Sequence, residues 1–162
     1  MQKKELTIPV DVYADSRELD PADALLLDLA RKTTADAYAP YSRFHVAAAV
    51  RLANGKTLTG TNQENASFPA GICAERVALS AASSLYPGMA VTSLAVSYAH
   101  ETEKNNNPIS PCGICRQTLM EYELRAGGPI RLILGGRTGE IFVLHSAADL
   151  LPLAFTAAEI TG

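Results

Sequence analysis

Cysteine is scarce in this 162-residue chain: there are three, an odd number, which suits a disulfide framework poorly and a metal or reactive site better. There is no basic excess either. Fourteen Lys and Arg against 17 Asp and Glu leave a net charge of −3, so no generally basic surface draws in nucleic acid. No apolar run approaches the roughly 20 residues that span a bilayer. The N-terminal Met1–Thr7 stretch carries charge without the apolar centre of a signal peptide. The expectation is a cytoplasmic protein without a membrane partner. No internal repeat, low-complexity segment or domain boundary stands out. A hydrophobic share of 48% with 19% charged residues is ordinary for a soluble folded chain, one long enough to bury a core.

Along the chain, Leu6, Ile8, Val10 and Val12 alternate with Thr7 and Asp11, the pattern of a short strand or extended arm. Asp20-Pro21 reads as an N-cap followed by a first-turn proline. The helix it opens is predicted to reach about Ala37, burying Leu25, Leu26, Leu29, Ala30 and Ala37, before Pro40. Residues 44–52 are small, apolar or β-branched, as in a strand covered on both faces. Asn54-Gly55 then predicts a hairpin into a returning strand over 56–62. Further on come a helix over 73–85, a strand over 92–98, a polar loop over 100–110 and a helix over 115–124. Strands over 130–134 and 140–144 follow, then a short helix capped by Ser146. This order indicates α/β layers around a mixed sheet of about five strands. Residues 1–19 form an N-terminal extension and 20–162 a single catalytic domain.

The chemistry concentrates between Asn62 and Cys115, which holds all three cysteines. Cys112-x-x-Cys115 places two thiolates at a helix start within reach of one ion, and Cys73, also at a helix start, supplies a third. Three protein ligands leave a fourth position open, the arrangement of catalytic rather than structural zinc. Three thiolates put excess negative charge on the ion. Two helix N-termini, each equivalent to about half a positive charge, offset part of it. Arg76 and Arg116, each adjacent to a ligand, offset more if they donate hydrogen bonds to sulfur, with Arg76 favoured. Glu75, two residues past Cys73, can reach the open side without coordinating and handle protons there. Each feature alone has a plainer reading. Cys-x-x-Cys also suits a redox pair, Cys73 a small buried hydrophobe, Glu75 a solvated helix residue, and the two arginines surface charges. Their joint occurrence favours the metal site.

Taken together, Cys73-Ala74-Glu75 and Pro111-Cys112-Gly113-Ile114-Cys115 resemble the zinc deaminases of nucleobases. Cys rather than His as first ligand points to the small cytidine deaminases. The stretches Tyr38–Phe44, Asn62–Ala66, Cys115-Arg116-Gln117 and Leu150–Phe155 agree with that. The resemblance implies a three-layer α/β/α fold, a homotetramer, one Zn2+ per subunit, and conversion of cytidine or deoxycytidine to the uridine product and ammonia in pyrimidine salvage. It also implies that Asn62 and Glu64 hold the ribose hydroxyls and that Phe44 packs on the base. The Ala74 backbone and Glu75 would meet the pyrimidine edge, and Phe155 would reach a neighbouring subunit's site. Ala47 stands where glycine is common and Phe68 where tyrosine is frequent. His45, His100 and His145 follow no ligand spacing with the cysteines. Two rivals stand beside this reading: a deaminase of a related aminonucleoside, such as a modified cytidine or nucleoside antibiotic, and a non-catalytic zinc-binding protein of the same fold.

Overall fold

Local sequence signals start most of the elements, and tertiary packing decides their registers. The chain is described here from a computed structural model covering residues 1–100 and 106–161. Helix α1 spans Pro21–Thr33, with the Asp20 carboxylate accepting from the Ala22 N–H at 2.9 Å. A 3-10 turn, Thr34–Asp36, extends it toward Pro40, so the regular helix ends before Ala37. The buried stripe is Asp23, Leu26, Leu27, Ala30 and Thr34, one face at helical spacing. Leu25, expected inside, is 71% exposed; Leu27 fills the core instead, because the stripe is centred between 26 and 30.

Six strands form one mixed sheet: β1 (Asp11–Tyr13), β2 (Phe44–Leu52), β3 (Thr57–Thr61), β4 (Val91–His100), β5 (Arg131–Gly135) and β6 (Ile141–Leu144), in the order β1-β6-β5-β4-β2-β3. The expected five are β2 to β6. The N-terminal extension supplies the sixth by pairing Asp11–Tyr13 antiparallel with β6, while residues 1–10 remain exposed outside any regular element. Arg131 Nη1 donates to His145 Nδ1 at 2.9 Å, which leaves His145 Nε2–H to donate to Asp11 at 2.8 Å. Arg131 and Arg51 also flank the buried Asp23 carboxylate, at 2.6 and 3.0 Å. A polar chain therefore links the added strand to the start of α1. Of the polar stretch 100–110, residues 101–105 lie outside those described.

Helix α2 (Ala74–Leu85) and helix α3 (Gly113–Ala126) lie on one face of the sheet and α1 on the other. Ala78, Leu79 and Leu119 pack with Val50, Leu94 and Leu132; on the opposite face, Leu26, Leu27 and Ala30 pack with Ala49, Ala95 and Ile133. The three-layer α/β/α expectation holds. Both ends of the chain's outer helices differ slightly from the sequence pattern. Helix α3 begins at Gly113, and the element behind Ser146 is a 3-10 turn, Ala147–Leu150, with a four-residue helix α4 (Ala158–Thr161) after it.

This topology fixes where the site can be. Strands β3 and β4 are both antiparallel to β2, so they run in the same direction, and β4 is parallel to β5. The connections β3-α2-β4 and β4-α3-β5 therefore return their helices on the same face, with both helix N-termini above the same end of the sheet. Ligands in α/β folds collect at that end, beyond the carboxyl ends of parallel strands. Gly60 sets how close α2 approaches. A Cβ there would lie 2.3 Å from the Ala78 nitrogen and 2.7 Å from the Ala74 carbonyl oxygen. Backbone cannot yield as a side chain can, so Gly60→Ala must push the first turn of α2 off the sheet. We expect this variant to lose about 2–3 kcal/mol of stability and part of its zinc affinity, read by melting curves and metal analysis. An unchanged melt with full zinc would contradict the close-packing argument.

Candidate metal centre

Cys73 and Cys112 occupy the N-caps of α2 and α3, and neither side chain makes a capping hydrogen bond. Ser, Thr, Asp or Asn at such a position would contribute about 1 kcal/mol of helix stability. The cysteines forgo that, and their sulfurs converge instead. Cys73 Sγ lies 3.8 Å from Cys112 Sγ, and Cys112 Sγ lies 3.5 Å from Cys115 Sγ. All three sulfurs sit within 4.8 Å of one another, and none is in a disulfide. Tetrahedral zinc with Zn–S bonds of about 2.3 Å requires sulfurs about 3.8 Å apart. The cluster fits zinc.

Protonation shows the same demand for positive charge. Without an ion, the Cys73 thiol is pulled down to about 6, first by the hydrogen bond from the Cys115 thiol; burial and the nearby Glu75 oppose this, and Arg76 assists it by its charge. Cys115 is pushed up, by the hydrogen bond it donates to Cys73, then by burial and the charge of Glu75. The three sulfurs thus give up one proton readily and resist losing the next. A divalent cation supplies what the remaining thiolates need.

Glu75 is 5% exposed, in the first turn of α2. Burial pushes its carboxyl pKa up, with a smaller opposing effect from hydrogen bonding with Cys115. A buried carboxyl held above its ordinary value beside the sulfur cluster is suited to exchanging protons. Ala74, fully buried, precedes it. Arg76 is half-buried and bears on Cys73 by charge. Arg116 spends its Nε on the Pro111 carbonyl at 2.8 Å and its Nη1 on the Leu150 carbonyl at 3.1 Å, tying the ligand loop to the C-terminal segment.

A cavity of about 320 Å³ opens against Cys73 and is lined by Asn62, Glu64, Tyr41, Phe68 and Ile72 among others. A larger cleft of about 500 Å³ lies beside α1, lined by Arg31, Lys32 and Arg137, and contains none of the cluster. Of these two, the smaller is the candidate site, because it is lined by Cys73 and the larger by none of the three cysteines. Asn62 accepts from the Val46 N–H at 2.8 Å and donates to the Phe44 carbonyl at 2.9 Å, which keeps one Nδ2 hydrogen for a ligand. Glu64 Oε2 accepts from the backbone N–H groups of Tyr41 and Ser42 at 2.8 and 3.3 Å. These bonds, led by that to the Ser42 side chain, hold its carboxyl below the usual range and ionised. The sequence did not reveal that Asn62 and Glu64 first fasten the chain around the start of β2. No spacing signals that, since the partners are backbone groups. Phe44 stacks on Tyr98 with ring centroids 5.0 Å apart. Phe68 is 76% exposed and meets Tyr41 edge-on at 6.1 Å. Phe155 is 60% exposed, and its carbonyl accepts from Gln117. Ala47 is fully buried opposite Ser97, whose buried hydroxyl has no partner among the described residues.

The layered sheet, the three converging sulfurs and the buried acid beside them fit one class, the zinc-binding α/β proteins with three cysteine ligands and a nearby carboxylate. The zinc-binding region of cytidine and deoxycytidylate deaminases matches residues 21–126. A cytidine deaminase of Halalkalibacterium halodurans is 35% identical over 136 residues, which is 84% of this chain and 96% of that one. One from Mycobacterium tuberculosis is 36% identical over 129 residues, 78% of this chain and 84% of that one. The crystal structure of cytidine deaminase from Burkholderia pseudomallei superposes with a TM-score of 0.70 at 39% identity, covering 81% of this chain and 97% of that one. This chain belongs to the cytidine deaminase family.

The buried Glu75 has a thermodynamic signature. A carboxyl whose pKa is raised on folding adds stability when protonated; that contribution is complete below the unfolded value of about 4.3 and is lost as pH rises through the folded value. In chelated, metal-free protein, Glu75→Gln should therefore raise the melting temperature at pH 7.5 and leave it unchanged near pH 3. Melting curves at the two pH values check this; equal shifts at both would contradict a buried carboxylate cost.

Proposed function

We propose that the chain is a cytidine deaminase: it hydrolyses cytidine and deoxycytidine to uridine and deoxyuridine with release of ammonia, one zinc ion serving each subunit. The observation that carries the reading is the buried Glu75 next to three sulfurs spaced for zinc, one of which, Cys73, lines a cavity that also holds Asn62 and Glu64. Cys73, Cys112 and Cys115 would hold the zinc, which when bound would lower the pKa of a water on its open side.

The chain's own residues then do the positioning and proton transfer. Glu75 takes a proton from the water and delivers it to N3 of the base. The water oxygen adds to C4, Glu75 carries the second proton to the amine, and ammonia leaves as the C4 carbonyl forms. A raised carboxyl pKa suits this double duty, since the same group must accept and release at neutral pH. The Ala74 backbone and Glu75 meet the pyrimidine edge, and Phe44 packs against the base. Asn62 and Glu64 take the ribose hydroxyls. A bare base would leave these polar groups without partners, which discriminates against it. Arg76 offsets thiolate charge, and Arg116 acts by fixing the ligand loop. By the family resemblance, the working form is a homotetramer in which Phe155 completes the site of a neighbouring subunit. The net charge of −3 favours a free nucleoside over a polynucleotide. Such an activity would serve pyrimidine salvage, and we place it in the cytoplasm.

Glu75→Gln should keep one zinc per subunit and lose turnover by about a thousandfold. The parent protein should release ammonia from cytidine far faster than from cytosine or an oligonucleotide. Near-normal turnover of the variant would remove Glu75 from the mechanism, and equal rates on base and nucleoside would remove the ribose contacts.

A further inference from the structure

After β6 the chain turns back along α3, and residues 146–155 form a strap whose only regular piece is the 3-10 turn at Ala147–Leu150. Side chains of α3 hold it at three points. Near the C-terminal end of the helix, the buried Glu123 carboxylate accepts from the Ser146 hydroxyl at 2.9 Å and from the Ala147 and Ala148 N–H groups at 2.7 and 3.1 Å. Two turns earlier, Arg116 donates to the Leu150 carbonyl. Last comes Gln117, whose Nε2 donates to the Phe155 carbonyl at 2.9 Å. The strap thus runs from the far end of α3 toward the turn that carries Cys112 and Cys115.

Between the second and third clamps the chain bends sharply. Leu153 has φ +58°, in the left-handed region that a leucine adopts at a cost, and it is 88% exposed. No packing of its own side chain offsets that cost. The bend is sustained by what lies on either side of it. Among the described residues, Gln117 makes the one hydrogen bond that ties residues 152–155 to the rest of the fold. Phe155 is consequently an aromatic residue with a fixed backbone and a ring that is 60% exposed. A surface phenylalanine needs no tether to remain in solvent; a ring that must meet a ligand at a set angle does.

We infer that Gln117 is a positioning residue for substrate binding, acting through the Phe155 carbonyl to set the direction in which the ring leaves the strap. The inference rests on the reading of Phe155 as a wall of the nucleoside site. Gln117 lies on the same helix as two of the sulfurs, two residues past Cys115. One rigid element therefore sets both the metal loop and the aromatic wall. Glutamine suits the role because its amide donates to a carbonyl. Glutamate, of the same length, would present an ionised oxygen there and repel it.

Four variants test this: Phe155→Ala, Gln117→Ala, Gln117→Glu and the double Gln117→Ala/Phe155→Ala, each measured for zinc content, kcat and KM on cytidine. Loss of one tethering hydrogen bond should raise KM about fivefold in both Gln117 variants, with zinc content and kcat near the parent's. The double variant should be no worse than Phe155→Ala alone, since the tether has nothing to position once the ring is gone. The chain has no tryptophan, so Phe155→Trp provides a single reporter. Adding Gln117→Ala to it should lower the fluorescence anisotropy of the indole. If Phe155→Ala leaves KM unchanged, the reading of Phe155 fails and this inference with it. If Phe155→Ala raises KM while the Gln117 variants do not, or if the two effects multiply in the double variant, the positioning role alone is overturned.

Discussion

Three sulfurs from two different helices must meet at one point, and the rest of the fold serves that requirement. Cys73 and Cys112 are 39 residues apart, and their sulfurs lie 3.8 Å apart. The sheet makes this possible because β3 and β4 point the same way with β2 between them, which sends both following helices back over one face from one end. Gly60 lets α2 lie against the sheet closely enough for Cys73 to reach its partners. Arg116 holds the Pro111 carbonyl and so fixes the loop that delivers Cys112.

That convergence carries an electrostatic cost. Sulfurs that must become thiolates, beside a carboxylate that is 5% exposed, concentrate negative charge in a poorly solvated place. Two helix N-termini and the Arg76 charge offset part of it, and a divalent ion held by the sulfurs would offset the rest. Burial there pushes the Glu75 carboxyl upward, which suits the proton exchange proposed for it. Stability and chemistry oppose each other at this residue. Capping bonds absent at Cys73 and Cys112 are a second instance of stability given up for the site.

The sequence was most legible where one residue type has one physical use. Asp20-Pro21 began α1, and Asn54-Gly55 turned the hairpin with Gly55 at φ +81°. The three cysteines could be grouped from their spacing and their placement at helix starts, and their sulfurs do converge. What could not be read depended on registers and on backbone partners. Leu25 and Leu27 look alike in the pattern, and only packing against the sheet chose between them. The alternation of Leu6 to Val12 suggested an arm or strand, yet only Asp11–Tyr13 pair, held by Asp11 on His145 and Tyr13 against the α1 core. Glu123 resembles any helix-surface glutamate, but it is buried under four donors of a segment some 23 residues later in the chain and the start of β5. Asn62 and Glu64 were singled out for a ligand, while their bonds to the backbone of residues 41–46 appear only in three dimensions.

The central claim is that the three sulfurs, one zinc ion and Glu75 form a hydrolytic centre for a free nucleoside. The most direct measurement follows ammonia and uridine together as the protein acts on cytidine, first as purified, then after chelation, then after zinc is restored. The account predicts equal amounts of the two products, loss of both on chelation and recovery of both with zinc. Fully zinc-loaded protein that releases neither product from cytidine would contradict it.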